Sequence, residues 1–182
     1  SPSRRSKRRS RITEPRAGSE ADMRKAEREV IDPAQKWDIL LRCPYMVLAM
    51  QGEGAPYQVP LNFGAEMQNG KLYLYFHCAN EGTKLSLLRS NAAVSFCAAN
   101  MLRVFNKGTA PCGYTTDYES VCGQGRAEVL EGEARLHGLQ VLMAHYTKEP
   151  FAAGAFQAHA LALTTVVKIE VESWAAKRLV RE

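Results

Sequence analysis

His77, Gly82 and Lys84 stand close together in the run FHCANEGTK, and their types suit the capture of an anion. A small residue followed by lysine at the start of a helix offers free backbone N–H groups, the positive end of the helix dipole and a mobile ammonium. A phosphate held at Gly82 and Lys84 follows, with the rest of a cofactor lying along Val59, Pro60, Leu61 and Asn62. His77 is the acid–base group of the set, since histidine exchanges protons near neutral pH. Plain alternatives stand beside each assignment. A lysine in a first helical turn is commonly solvated, and a histidine at a strand end is commonly a surface residue. Cys78 adjoins His77, but neighbouring strand residues point to opposite faces, which argues against a cysteine–histidine dyad.

The elements that must position these residues are legible in the pattern. Tyr57, Val59, Leu61 and Phe63 alternate with Gln58, Pro60, Asn62 and Gly64, the period of a half-buried strand. Asn69-Gly70 predicts a hairpin turn, because both residues tolerate positive φ. Leu72, Leu74 and Phe76 then alternate with Tyr73, Tyr75 and His77, so the second strand ends at His77 and a helix over 84–89 follows. Asp32-Pro33 caps an earlier helix carrying Ala34, Trp37, Leu40 and Leu41 on one stripe. Further strands are expected over 45–50, 92–99, 102–106, 118–130 and 166–173. A helix is expected over 133–146, with Leu136, Leu139, Met143 and Tyr146 inward, and 152–162 is Ala-rich and ambiguous. Strands outnumber helices and their links are short, which predicts an α+β, mainly β domain: a small barrel or strongly curled antiparallel sheet flanked by helices.

The chain of 182 residues has 46% hydrophobic residues and suits one domain. Its net charge of +5 lies mostly in residues 1–22, which hold seven Arg and Lys against three acids. That segment is expected to be a disordered basic tail and 23–182 the folded domain. The nearly neutral remainder excludes a specific nucleic-acid module. No apolar run approaches the roughly 20 residues of a membrane span. Five cysteines without a C-x-x-C pair read as free thiols in a reducing cytoplasm, with no metal site expected.

A second segment, PCGYTTDYESVCGQGRAEV over 111–129, separates as a strand into two rows. Val121, Gly123, Gly125, Ala127 and Val129 are small and apolar; Tyr118, Ser120, Cys122, Gln124 and Arg126 are polar with an aromatic lead. Alternate glycines let a backbone, a ring or a subunit approach closely. Gly123-Gln124-Gly125 is no dinucleotide fingerprint, because a strand pattern follows it and the third glycine is missing.

Taken in order, V-P-L-N-F, G-K-L-Y-L-Y-F-H, E-G-x-K, P-C…Y-E-S-V-x-G-x-G-R-A and I-E-V-E-S-W-A-A-K-R resemble the pyridoxamine 5′-phosphate oxidase-related family, in particular its Nim-type 5-nitroimidazole reductases. The resemblance runs from about residue 23 to 178. It implies a split β-barrel homodimer with FMN in clefts at the subunit interface. It places the flavin along Val59, Pro60, Leu61 and Asn62, and its phosphate and ribityl end at His77, Gly82 and Lys84. It sets Tyr118 and Ser120 in the cleft wall from the partner subunit, and Trp174 either at the ring edge or packed at the interface. The implied activity is FMN-dependent reduction of small nitroaromatic, quinone-like or unassigned substrates by an electron donor. Residues 173–182 contain no histidine, which departs from the substrate-phosphate site of true pyridoxamine phosphate oxidases and argues against vitamin B6 oxidation. Two other readings remain open: a non-catalytic or haem-binding split barrel with His77 as axial ligand, and a basic-tailed interaction protein.

Overall fold

The computed structural model describes residues 25–181, so the basic tail over 1–22 lies outside the described residues. After a short strand β1 (Glu29–Val30), α1 (Pro33–Arg42) begins as its sequence requires. The Asp32 side chain accepts from the Ala34 N–H at 3.3 Å and proline occupies the first turn. Strands β2 (Met46–Met50), β3 (Tyr57–Leu61), β4 (Gly64–Gln68) and β5 (Lys71–Ala79) lead to α2 (Thr83–Ser90). Two long strands, β6 (Ala93–Asn106) and β7 (Tyr114–Leu130), precede α3 (Gly132–Thr147), a short α4 (Ala158–Ala162) and the closing β8 (Thr164–Leu179).

All strands belong to one antiparallel sheet, ordered β3-β2-β6-β7-β8-β5-β4, with β1 added beside β8. The two ends of this order are consecutive in the chain. Laid flat, seven strands would hold β3 and β4 about 29 Å apart. Only Asn62 and Phe63 connect them, and three Cα steps span no more than about 11 Å. The sheet must therefore curl until its edges nearly meet, which makes a barrel split at that corner. Met46, Leu48, Met50, Phe63, Leu72, Leu74, Phe76, Phe96, Val121, Val167 and Ile169 fill its interior.

This corner corrects the expectation of a single strand over 57–64. The alternation continues through Phe63, which is buried, but the chain leaves β2 after Leu61 and pairs with β5 from Gly64. Side-chain period is blind to a change of hydrogen-bonding partner. The Asn69-Gly70 turn forms as expected, with φ of 50° and 79°, between β4 and β5. The strands expected over 92–99 and 102–106 are one, β6, with an irregularity between Met101 and Arg103 that leaves Leu102 out of the ladder. The last strand runs six residues beyond Ser173, to Leu179, because a bulge opposite Gln124 and Gly125 absorbs Glu172.

Helix α3 closes one face of the sheet, turned from its expected stripe: Gly138, Leu139, Leu142 and His145 face inward. Glycine decides the rotation. A Cβ at Gly138 would lie 2.8 Å from Val166 and 2.9 Å from Tyr75, and one at Gly64 would lie 2.5 Å from the Leu142 backbone nitrogen. The alternate glycines of β7 serve the same chain. Gly123 makes room for the Phe96 ring and the Ser173 carbonyl, and Gly125 for the Glu170 carbonyl at the bulge.

Two carboxylates point inward from β7, and each is 1% exposed. Arg42 donates to Glu119 through Nε at 2.9 Å and Nη2 at 2.7 Å. Arg103 Nε donates to Asp117 at 2.5 Å, and Arg181 does so from its backbone N–H and Nη1 at 3.2 Å each. These hydrogen bonds hold both carboxyls below the ordinary carboxylate range, against burial. His145 is buried between Phe63 and Tyr146, at ring-centroid distances of 4.5 and 4.8 Å. Its Nε2 donates to the Cys43 carbonyl at 3.2 Å, and burial lowers its pKa despite that bond.

Gly64→Ala should lower stability by about 1–3 kcal/mol, the usual cost of overpacking, because the clash is with helix backbone; a thermal melt with an unchanged midpoint would refute the close approach. Stability should also fall with acid in two steps. A histidine held neutral in the fold destabilises as pH drops below its unfolded value near 6.5, and depressed carboxylates lose their contribution below about 4, as pH falls through their folded values. In urea titrations, Glu119→Gln should be less stable than wild type at pH 7, and the gap should narrow as pH falls below about 4, the unfolded carboxylate value.

Candidate functional site

Among the described residues, β3 pairs only with β2, so its second edge presents unpaired backbone groups. Val59 and Leu61 lean half-buried onto the core, while Pro60 and Asn62 are exposed. Proline suits this position, because an edge strand does not need its missing N–H. His77 is exposed on β5, opposite Val166 of β8. The β4–β5 ladder ends with Gly64 opposite Tyr75, two residues before His77, and Asn62 lies in the corner just before β4.

Gly82 caps α2 with φ 129° and ψ 170°, a conformation that L side chains rarely adopt. Ser86 N–H donates to the Gly82 carbonyl at 3.1 Å, and no side chain caps the helix. The N–H groups of Thr83, Lys84 and Leu85 consequently have no acceptor within the helix. Lys84 is half-buried, with Nζ 5.7 Å from the Phe76 ring centroid. Lys84 and Arg89 both act on the Cys78 thiol, which burial nevertheless raises. Phe76 and Cys78 face the barrel interior and His77 faces away, so Lys84 and His77 flank β5 from opposite sides.

Tyr118 and Ser120 lie side by side on the outward row of β7, three strands from β3 in the sheet order. Arg28 Nη1 donates to the Tyr118 hydroxyl at 3.5 Å, and Ser120 sits between Ala99 and Lys177. Trp174 pairs with Gly123 and packs against the core. One face of its indole is covered by Lys36, whose Nζ is 4.1 Å from the ring centroid and donates to the Trp174 carbonyl at 3.0 Å. Burial lowers the Lys36 pKa there. A hollow of about 290 Å³ opens between Met50, Gln51, Pro56, Asn91, Ser95 and Gln124. Another of about 180 Å³ lies between Leu88, Arg89, Ala127 and Val167, and neither is lined by the candidate residues.

The structure also assembles a polar cluster that the sequence did not announce. Tyr75 Oη donates to Glu66 Oε1, His137 Nε2 lies 2.8 and 3.0 Å from the two Glu66 oxygens, and Gln68 Nε2 donates at 3.0 Å. Burial works to raise the Glu66 carboxyl, but these hydrogen bonds together hold it below its ordinary value. Burial and the adjacent carboxylate raise the Tyr75 hydroxyl. The cluster ties α3 to the β4–β5 hairpin. Glu66 and His137 stand 71 residues apart, and only the packing of α3 makes them neighbours.

No curated protein matches this chain. The profile of the pyridoxamine 5′-phosphate oxidase family matches residues 32–178. Among solved structures, a candidate 5-nitroimidazole antibiotic resistance protein from Bacteroides thetaiotaomicron is 28% identical, with a TM-score of 0.68, covering 82% of this chain and 85% of its own. An FAD- and haem-binding protein from Mycobacterium smegmatis is 20% identical, with a TM-score of 0.68 and coverage of 83% and 73%. The flavocytochrome Anf3 from Azotobacter vinelandii is 16% identical, with a TM-score of 0.67 and coverage of 87% and 72%. The last two show the shared fold alone. With its split barrel and a profile match spanning nearly all described elements, the chain belongs to the pyridoxamine 5′-phosphate oxidase family.

Proposed function

We propose that this protein is an FMN-dependent oxidoreductase, a flavin-mediated reductase of small nitroaromatic or quinone-like substrates, acting as a homodimer in the cytoplasm. The observation that carries the reading is the barrel split itself. It leaves an unpaired backbone edge on β3, and β5, which carries the exposed His77 on one side, leads to an uncapped helix N-terminus at Gly82 beside Lys84 on the other. These groups fit a flavin phosphate: N–H donors and an ammonium for the anion at one end, backbone donors for a polar ring at the other. The 28% identity to the nitroimidazole resistance candidate supports the substrate class.

A bound flavin supplies hydride acceptance and one- or two-electron transfer. The chain's own residues bind and orient it. Lys84 neutralises phosphate charge, the N–H groups of Thr83 and Leu85 add donors, and the β3 edge holds the ring and stabilises negative charge near Asn62. His77 would deliver a proton at the ring edge or hold the ribityl chain. Tyr118 and Ser120 lie roughly 14 Å across the sheet from β3 of their own chain. That separation supports their service to the site of a second copy, and hence a homodimer. Trp174 would serve either at the ring edge or as packing at the subunit interface. Arg181 is engaged by Asp117 and the Thr116 carbonyl, which favours reduction over recognition of a vitamin B6 phosphate. Among the described residues no helix is long and apolar enough to cross a membrane.

The test is mass identification of the small molecule released from purified protein, followed by FMN titration. Wild type should yield or take up FMN, and Lys84→Ala should bind it about 10- to 100-fold more weakly, the worth of one charge-assisted contact. A wild-type protein that neither contains nor takes up flavin would overturn the function. Unchanged affinity in Lys84→Ala would overturn the phosphate assignment. His77→Ala separates the two roles of the histidine: retained flavin with lost turnover marks a proton donor, and lost flavin marks a binding residue.

A further inference from the structure

Cys97 and Cys122 are direct partners across β6 and β7, 25 residues apart in sequence. The ladder phase at this pair can be read from the Ala127 N–H, which donates to the Ala92 carbonyl at 2.8 Å. Residues 92 and 127 are thus a hydrogen-bonded pair. Pairs alternate along an antiparallel ladder, so Cys97 and Cys122, five steps on with no register shift between, are a non-hydrogen-bonded pair. That is the closer of the two geometries, with Cα atoms about 4.5 Å apart and side chains side by side. A disulfide spans Cα separations of roughly 4.4 to 6.8 Å. Both thiols are free and exposed on the outward face. Ser95, Ala99, Ser120 and Gln124 flank the pair along the row, with Val47 of β2 beside Cys97 and Ala175 of β8 beside Cys122, and both thiols remain exposed.

From this juxtaposition we infer that Cys97 and Cys122 form a redox-active dithiol, a modification site that peroxide closes reversibly to an intrachain cross-strand disulfide. The inference does not need flavin, and in the proposed homodimer it requires that the second copy leave this part of the row open to peroxide. So close a pair of thiols shares one proton between them, which lowers the Cys97 thiol and raises that of Cys122. Cys97 is therefore the nucleophile and Cys122 the resolving thiol, since the thiolate is the reactive form. Lys177, one pair along β8, adds a positive charge that favours ionisation at Cys122. The Cys97 thiolate attacks one oxygen of hydrogen peroxide; the S–O bond forms, the O–O bond breaks, and hydroxide leaves to be protonated to water, giving the sulfenic acid. Cys122 then attacks the Cys97 sulfur; the S–S bond forms, the S–O bond breaks, and the departing hydroxide takes the Cys122 proton as a second water. Two thiols are oxidised and one peroxide is reduced. Cys43 is buried in the core and burial raises its thiol to about 12, which leaves it inert.

The experiment treats the full reduced protein with hydrogen peroxide, alkylates the remaining thiols and maps the peptides. Two of the five thiols should disappear, with the Cys97 peptide joined to the Cys122 peptide in a species that runs as one chain without reductant. Dithiothreitol should restore both. In Cys122→Ser, Cys97 should instead stop at a sulfenic acid that dimedone traps, and Cys97→Ser should lose no thiol pair. Circular dichroism before oxidation confirms that each variant is folded, as expected for exposed positions. Retention of all five thiols, linkage of Cys122 to Cys112, or linkage only between chains would overturn the inference.

Discussion

Two residues, Asn62 and Phe63, tie the first and last strands of the sheet order to one another. Because the connection is so short, the sheet cannot lie open. It closes into a barrel and leaves a split where β3 and β4 diverge. The rest of the candidate site depends on that closure. It turns the free edge of β3 toward β4, whose partner β5 hands the chain to α2. Phe63 anchors the corner from inside: its side chain is fully buried, and its N–H donates to the Tyr146 hydroxyl at 3.1 Å. Tyr146 in turn donates to the Pro44 carbonyl at 3.0 Å, so α3 braces the turn into β2 as well.

Charge inside this barrel is confined and paired. Glu119 and Asp117 enter the interior from β7 only where arginines from α1, β6 and the end of β8 reach them. Removing water from a carboxylate costs several kcal/mol, and a bidentate guanidinium offsets that cost where a lone lysine would not. The pairs link distant segments: Arg42 lies 77 residues from Glu119, and Arg181 lies 64 from Asp117. The outward face of β6, β7 and β8 follows the opposite plan, with polar side chains such as Ser120, Gln124 and Arg126 around two adjacent thiols. One surface of the sheet is sealed by packing, while the other is left open for chemistry or for a second subunit.

Local pattern was a good guide wherever one residue type has one use. The helix cap at Asp32-Pro33, the Asn69-Gly70 turn and the alternations of β2 and β5 all formed where their residues pointed. It failed where the deciding partner is remote. The break after Leu61 is invisible in side-chain alternation because Val59, Leu61 and Phe63 keep facing the core while the backbone changes neighbours. The extension of β8 past Ser173 depends on a bulge opposite glycines of β7. The rotation of α3 depends on glycines that let helix and sheet touch, a matter of contact distance rather than of periodicity.

Family, strand-rich composition and the candidates His77, Gly82 and Lys84 were all legible in the linear chain, because residue identity and short-range order carry them. Which candidates are neighbours depends on how the sheet closes. The tertiary structure put Lys84 on the far side of β5 from His77, and kept Tyr118 and Ser120 three strands from β3 of their own chain. It also made partners of Cys97 and Cys122, and of Glu66 and His137. Register and curvature fix such neighbours, and both are properties of the closed sheet as a whole rather than of any stretch of chain.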